Sequence, residues 1–281
     1  MLDGRTIIVF GIEHYNPLGI IRSLGEQGIR PVFIAIPGRA DVASASKYVA
    51  KCHRVKDYVE GCQLLLEEYG DYPADNLPIV ITSDDEQVGY MDEHYDDFAG
   101  KFIFFNAGKN GGITEYMDKF NILELAKKNG LNTLEAVSVK RGEIPENVPY
   151  PVITKSIAPN IGGWKADVFI CENEEELKTA YEKIQSPTVL VQHYIDKKNE
   201  LVLEGFSADK GRQTFIAIAS LYKYNIKGYY SPYHSVDNFK DQFLYDALSK
   251  MLEQIGFEGI FEIEFLVDKD DTLYFSEINF R

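Results

Sequence analysis

At 281 residues, with 45% hydrophobic and 26% charged side chains, the chain is long enough for two or three subdomains with cores of their own. Its net charge of −15 argues against partners held by clustered Lys and Arg, so neither nucleic acid nor an anionic membrane is expected. No apolar run approaches the roughly 20 residues of a helical membrane span.

The start, MLDGRTIIVFGIE, has no basic leader region, and its apolar stretch is only Ile7 to Phe10. Cys52, Cys62 and Cys171 are an odd number without metal-ligand spacing and read as free thiols. A cytoplasmic location is expected. Thr6 to Phe10 predicts a buried strand that runs into a loop at Gly11–Pro17. A helix follows from about Leu18 to Gln27, stopped by Gly28. Pro31 to Ile36 is a second strand, and this order is a βαβ unit of a parallel sheet. A helix over Cys62–Tyr69, a strand over Ile79–Thr82 and a strand over Phe102–Phe105 complete a small open α/β domain. Ligands of such domains sit beyond the carboxyl ends of the strands. Those ends carry Glu13, His14 and Asn16 in one loop and Asp84, Asp85 and Glu86 in another.

The loop Gly108–Gly112 predicts a boundary between residues 1–113 and 114–281. A helix over Tyr116–Asn129 follows, stopped by Gly130. From Tyr150 onward strands dominate: Pro151–Lys155, Ala166–Cys171, Thr188–Gln192, Leu201–Ser207, Thr214–Ser220, Gly259–Val267 and Thr272–Phe280. Two helices interrupt them, one opened by Asn173 with Glu176 as its capping-box partner, the other over Asp241–Ile255. Many strands with few helices predict antiparallel sheets in an α+β arrangement. There is no P-loop, dinucleotide fingerprint, H-E-x-x-H or G-x-S-x-G pattern.

The stretch Gly259 to Arg281 reads as a β-hairpin with a four-residue turn at Asp268–Asp271. Val267 then faces Thr272, and Glu264 faces Phe275. Alternation places Glu262, Glu264, Glu277, Asn279 and Arg281 on one face, and Phe261, Ile263, Phe265, Tyr274 and Ile278 on the other. Glu264 and Glu277 become diagonal neighbours, which suits two carboxylates converging on one or two hard metal ions such as Mg²⁺. A strand with one solvated polar face gives the same alternation. A one-residue change in the turn would move Glu264 to the other face.

The ending Glu277-Ile278-Asn279-Phe280-Arg281, with Glu264 on the preceding strand, resembles the metal-binding signature of the ATP-grasp superfamily. Its E-x-N-x-R form is closest to the carbamoyl phosphate synthetase-like branch, and Asn16, Gly19, Arg22 and Ser23 resemble D-aspartate-ligase-like members. The resemblance implies that Glu264, Glu277 and Asn279 hold Mg²⁺, or Mn²⁺ in its place, and that Arg281 contacts phosphate. It implies that Lys155 and Lys119 reach ATP. Asn160 to Lys165, with Gly162 and Gly163, resembles the family's phosphate-covering loop. Val189 to Ile195 resembles the hinge strand that binds adenine, here through Gln192, His193, Tyr194 and Ile195, although the family often has Glu where His193 stands. Glu200 is the candidate for the ribose hydroxyls, with Glu204 as the fallback.

The resemblance covers Thr6 to Arg281. It implies an α/β N-terminal domain with an open parallel sheet, followed by an α+β ATP-grasp fold of two lobes with antiparallel sheets. Family members usually continue past this point, so either a domain truncated at its C-terminus or a naturally short protein is expected. The implied activity is an ATP- and Mg-dependent ligase that joins a small-molecule carboxylate to an amine through an acyl phosphate and releases ADP. Lys155 and Arg281 would be its catalytic cations. Glu13, His14, Asn16, Lys223 and Lys227 are candidate substrate contacts, and a homo-oligomer is left open. Two other readings stand beside it: a catalytically inactive or regulatory nucleotide-binding ATP-grasp protein, and a non-nucleotide α/β binding protein whose acidic hairpin is only a solvated strand.

Overall fold

The computed structural model describes residues 4–157, 167–223 and 233–281. The chain divides into two compact units. One comprises Met1–Thr114, Gly256–Gly259 and Phe280–Arg281, the other Glu115–Ile255 and Ile260–Asn279.

The first unit is built on a parallel sheet of β1 (Ile7–Ile12), β2 (Val32–Ile36), β3 (Lys51–Arg54) and β4 (Ile79–Thr82), in the order β3-β2-β1-β4. β1 and β2 are almost continuously apolar because both faces of the sheet are covered. Ile8, Phe10 and Ile34 face one core with Leu65 and Phe98, while Val9, Phe33 and Ala35 face another with Ile21. α2 (Tyr58–Tyr69) lies tight on β1: a side chain at Gly61 would meet the Phe10 ring at 2.4 Å.

The helix α1 (Tyr15–Glu26) starts three residues before the predicted Leu18. His14 caps it, accepting the Asn16 N–H at Nδ1 (3.0 Å), and Pro17 sits in the first turn, where its missing N–H is not needed. α3 (Asp85–Glu93) and the short α4 (Tyr95–Phe98) follow β4. The predicted strand at Phe102–Phe105 shrinks to one parallel bridge between Ile103 and Ile79. β3 was not predicted, since its sequence KCHR is mostly exposed and has no apolar alternation.

The predicted helix over Tyr116–Asn129 is two: α5 (Thr114–Met117) and α6 (Lys119–Lys128). Asp118 breaks it by accepting the N–H groups of Phe120 (2.9 Å) and Asn121 (3.1 Å) as an N-cap. In the second unit, β5 (Ala136–Lys140), β6 (Val152–Ser156), β7 (Ile170–Cys171) and β8 (Thr188–His193) form an antiparallel sheet in the order β5-β8-β6-β7. Val152, Val189 and Val191 pack there against Leu177 and Tyr181 of α7 (Glu174–Tyr181). A five-stranded sheet runs β11-β10-β9-β12-β13, from β9 (Asn199–Ala208), β10 (Gln213–Tyr222), β11 (His234–Asp237), β12 (Gly259–Val267) and β13 (Leu273–Phe280). α8 (Gln242–Ile255) buries Leu244, Ala247, Leu248, Met251, Leu252 and Ile255, the spacing of one helical face. β5 and β11 were not predicted, and of the strand expected at Ala166–Cys171 the described part, from Asp167 on, forms strand at Ile170–Cys171 only. Among the described residues, no helix is long and apolar enough to cross a membrane.

Candidate functional site

The hairpin of β12 and β13 reaches its predicted polar face by a different register. The Asp268 N–H bonds to the Thr272 carbonyl at 3.1 Å, so the turn closes on three residues, Lys269 to Asp271, instead of four. Asp268 also accepts from the N–H groups of Asp270 and Thr272, and Asp271 takes the left-handed φ of 64° that the tight turn demands. The shorter turn alone would send Glu277 to the apolar face. A slip within β13 compensates: Phe275 and Ile278, three positions apart, are both buried. Phe275, not the predicted Tyr274, packs in the apolar layer, edge-on to Phe265 with ring centroids 5.7 Å apart.

Glu262, Glu264, Glu277 and Asn279 are thereby brought together. The Asn279 amide nitrogen donates to Glu262 (3.0 Å) and Glu264 (3.1 Å). Lys119, the first residue of α6, bonds the Glu277 carboxylate. Burial, then the nearby charges of Glu277, Glu262 and Glu200, push the Glu264 carboxyl up to about 8, opposed by Lys119. Lys155, on β6, donates to the Gln192 side chain at 3.2 Å. Loss of water around its ammonium lowers its pKa. Glu277 and Glu264 oppose that shift, while Lys119 and Lys197 add to it.

Among the described residues, no group of three His, Cys, Asp or Glu side chains is arranged to hold a metal ion. Lys119 stands on Glu277, and Asn279 turns its nitrogen, not its oxygen, to the two glutamates. The donor chemistry nevertheless fits a hard cation. The groups are carboxylates, and burial, with the neighbouring acids adding to it, raises the Glu264 carboxyl to about 8.

Elsewhere the expected residues are placed as follows. The His193 and Tyr194 N–H groups are used by the carbonyls of Glu135 and Pro151, and His193 Nδ1 bonds the Pro149 carbonyl at 2.9 Å. Ile195 follows in the β8–β9 loop. Glu200 is held by Lys197, and Glu204 lies half-buried further along β9. Lys223 follows β10, its N–H on the Tyr233 carbonyl at 3.0 Å. Arg281 follows β13 directly and belongs to the first unit, so its phosphate role rests on sequence alone. Gly162, Gly163 and Lys227 lie outside the described residues.

At the strand ends of the first unit, the buried Glu13 accepts from the N–H groups of Ala43 (2.9 Å) and Ser44 (3.1 Å). His14 Nε2 meets Asp84 at 2.9 Å, and Asp84 also accepts from Ile12 N–H (2.9 Å) and the Ser83 hydroxyl (2.7 Å). Glu13 and Asp84 thus brace loops. Asp85 and Glu86 open α3, where the helix dipole favours acids.

Two residues were missed. Lys197 is visible in the sequence only as a lysine three positions before Glu200. Tyr222 ends β10, and burial, then Glu200, Glu262, Glu264 and Glu204, raise its phenol pKa.

No family model matches the chain. The curated N5-carboxyaminoimidazole ribonucleotide synthase of Staphylococcus aureus is 25% identical over 174 residues, 57% of this chain and 43% of the synthase. The 2-oxoglutarate carboxylase small subunit of Hydrogenobacter thermophilus is 25% identical over 286 residues, 93% of this chain and 58% of that subunit. The chain therefore spans about half the length of the curated relatives it matches. Among solved structures, an L-amino acid ligase from Bacillus licheniformis superposes with a TM-score of 0.73 at 15% identity, over 99% of this chain and 67% of that one. The chain has the ATP-grasp fold. A second ATP-grasp neighbour is the biotin carboxylase domain dimer of the Hydrogenobacter thermophilus 2-oxoglutarate carboxylase, solved with MgADP, ADP and bicarbonate. Its TM-score is 0.69 at 20% identity, over 97% of this chain and 64% of that one. The fold class expected from the sequence, a parallel sheet first and antiparallel sheets after it, is the one found.

Proposed function

We propose that this chain binds ATP with Mg²⁺ and joins a small-molecule carboxylate to an amine, through an acyl phosphate and with release of ADP. The support is the charge arrangement of the second unit: Lys119 on Glu277, Lys155 within their field, and Glu262 and Glu264 bridged by Asn279. The γ-phosphoryl group and the attacking carboxylate are both anions, so the protein's part is positioning and neutralisation. No nucleophilic side chain is needed. Glu264, Glu277 and the Asn279 carbonyl oxygen would hold Mg²⁺, which when bound screens phosphate charge. Lys119, released from Glu277, and Lys155 meet phosphate oxygens. Lys155 is partly withdrawn from water, so an anion beside it is held more strongly than one beside a fully solvated lysine. The segment Gln192 to Ile195 takes the adenine, and Glu200 the ribose hydroxyls.

Thermal unfolding with Mg-ATP tests the first step. A ligand at 100 times its dissociation constant stabilises the native state by about 2.7 kcal/mol. A rise in Tm that EDTA abolishes is expected, followed by ADP release when carboxylate and amine pairs are supplied. No rise at saturating Mg-ATP would overturn the reading. A rise with no ADP release from any pair would favour nucleotide binding without turnover.

A further inference from the structure

Glu200 is the second residue of β9, and its Oε1 is held by the ammonium of Lys197, three residues earlier. Both side chains are largely covered, 32% and 28% exposed. The loop that carries Lys197 is pinned at both ends. The Tyr194 N–H bonds the Pro151 carbonyl at 2.8 Å, and the Lys198 N–H bonds the Val267 carbonyl at 2.7 Å. Lys198 also pairs with Asp271 in the hairpin turn at 2.6 Å. The Lys197 charge is therefore delivered to a fixed place. That place is close enough to Lys155 for the two ammonium groups to disfavour each other. A partly exposed ion pair between two flexible side chains adds little to stability. A second lysine set beside Lys155 against that repulsion has a better account in what it does to Glu200. Glu200 stands among acids: the same charges that crowd Glu264 and Tyr222 include it. Without a cation on one oxygen, a carboxylate in such company turns among rotamers, which spoils it as an acceptor in a fixed direction.

We infer that Lys197 is a positioning residue for the nucleotide's ribose, fixing the Glu200 carboxylate by one oxygen so that the other accepts from the sugar hydroxyls. This rests on the proposed function, in which Glu200 takes the ribose. On this reading Lys197 acts through Glu200, and its effect is on sugar discrimination.

Calorimetric titration of the full chain with Mg-ATP and with Mg-2′-deoxy-ATP tests it. The parent is expected to prefer ATP about 10-fold, the equivalent of about 1.4 kcal/mol. Lys197→Met should bring the ratio to about 1 while both nucleotides still require Mg²⁺, and Lys197→Arg should restore most of the preference. A purely structural lysine would weaken both nucleotides alike and leave the ratio intact. A Lys197→Met protein that keeps the 10-fold preference overturns the inference and leaves the proposed function standing. A parent that binds neither nucleotide overturns the proposed function itself. A parent that binds both equally removes Glu200 from the ribose and the inference with it. Should the methionine variant fail to fold, Lys197→Gln carries the same comparison.

Discussion

Asp92 and Glu264 are both carboxylates withdrawn from water, and they have been given opposite company. Asp92, on α3, accepts from the Ile113 N–H (2.9 Å), the Thr114 N–H (2.7 Å) and the Thr114 hydroxyl (2.9 Å). Burial raises its pKa, and these donors pull it back. Glu13 and Asp84 in the same unit are likewise matched to backbone N–H groups. Burial raises Glu264 too, but there Glu277, Glu262 and Glu200 add to the shift, and the carboxyl is pushed up to about 8. Donors aimed at an acid make a brace that stabilises a fold. Acids aimed at one another destabilise it, and such an arrangement persists where something positive is meant to arrive. The contrast corrects a rule applied too simply to the sequence. The strand ends of a parallel sheet do gather polar residues, but here Glu13 and Asp84 hold loops.

The largest effect should come from Glu277→Gln, which keeps the side chain's shape and removes its charge. Turnover is expected to fall about 10²- to 10³-fold, the loss typical of one electrostatic contact to the reacting charge. Metal-free stability should change by no more than about 0.5 kcal/mol. Steady-state ADP release beside a denaturant melt checks both. Unchanged turnover would mean that the crowded acids are only a solvated strand face.

Asp92→Asn probes the other side of the comparison. An amide cannot accept from all the donors that Asp92 serves, and its own N–H₂ meets theirs. A loss of about 2 kcal/mol in urea unfolding is expected, with Mg-ATP affinity unchanged. A loss of nucleotide binding in a folded Asp92→Asn protein would erase the distinction between brace and site.

Gln87 lies on the same helix as Asp92, is fully buried, and has neither amide atom hydrogen-bonded. Gln87→Met should therefore stabilise the protein by about 1 kcal/mol, since unmade buried hydrogen bonds are removed at similar volume. A loss of stability would show that Gln87 has a polar partner, such as a buried water, and that the first unit also keeps a site of its own.

Much of this was legible in the sequence, and the failures have physical causes. β1, β2 and β8 announce themselves because strands covered on both faces must be apolar throughout. β3, β5 and β11 all end their sheets; β3 and β11 are mostly exposed, so no apolar alternation marks them, whereas β5 does alternate, with Val137 and Val139 packed on the core, and its shortness alone left it unpredicted. The acidic face of the hairpin was placed correctly through two register errors that cancel, a turn one residue too long and a slip in β13 not foreseen. Lys119 and Lys155 were named from the resemblance, and the structure sets Lys119 on Glu277 and Lys155 on Gln192. Lys197 and Tyr222 were not, because their meeting with Glu200 depends on a loop conformation and on the β9–β10 register, with Leu201 opposite Leu221.

The smallest effect concerns a buried group that is matched, in the unit that holds the crowded acids. Tyr181, on α7, donates its hydroxyl to the Glu143 carbonyl at 2.7 Å, and burial pushes its pKa up to about 12. The unfolded chain has an ordinary tyrosine near 10. A folded-state pKa above the unfolded one gives stability that is complete below pH 10 and is lost as pH rises toward 12. At pH 8 the parent should exceed Tyr181→Phe by about 1 kcal/mol, the worth of one hydrogen bond. Above pH 10 the unfolded parent gains free energy by ionising, at up to about 1.4 kcal/mol per pH unit, while the phenylalanine chain does not. The difference between the two proteins should pass through zero near pH 11. Urea unfolding of both, every half unit from pH 8 to pH 11.5, measures it with all other titrations cancelled. A difference that stays constant would mean that Tyr181 ionises as freely folded as unfolded. Its hydroxyl would then be as well solvated in the folded chain as in the unfolded one, and would not belong with the braced groups.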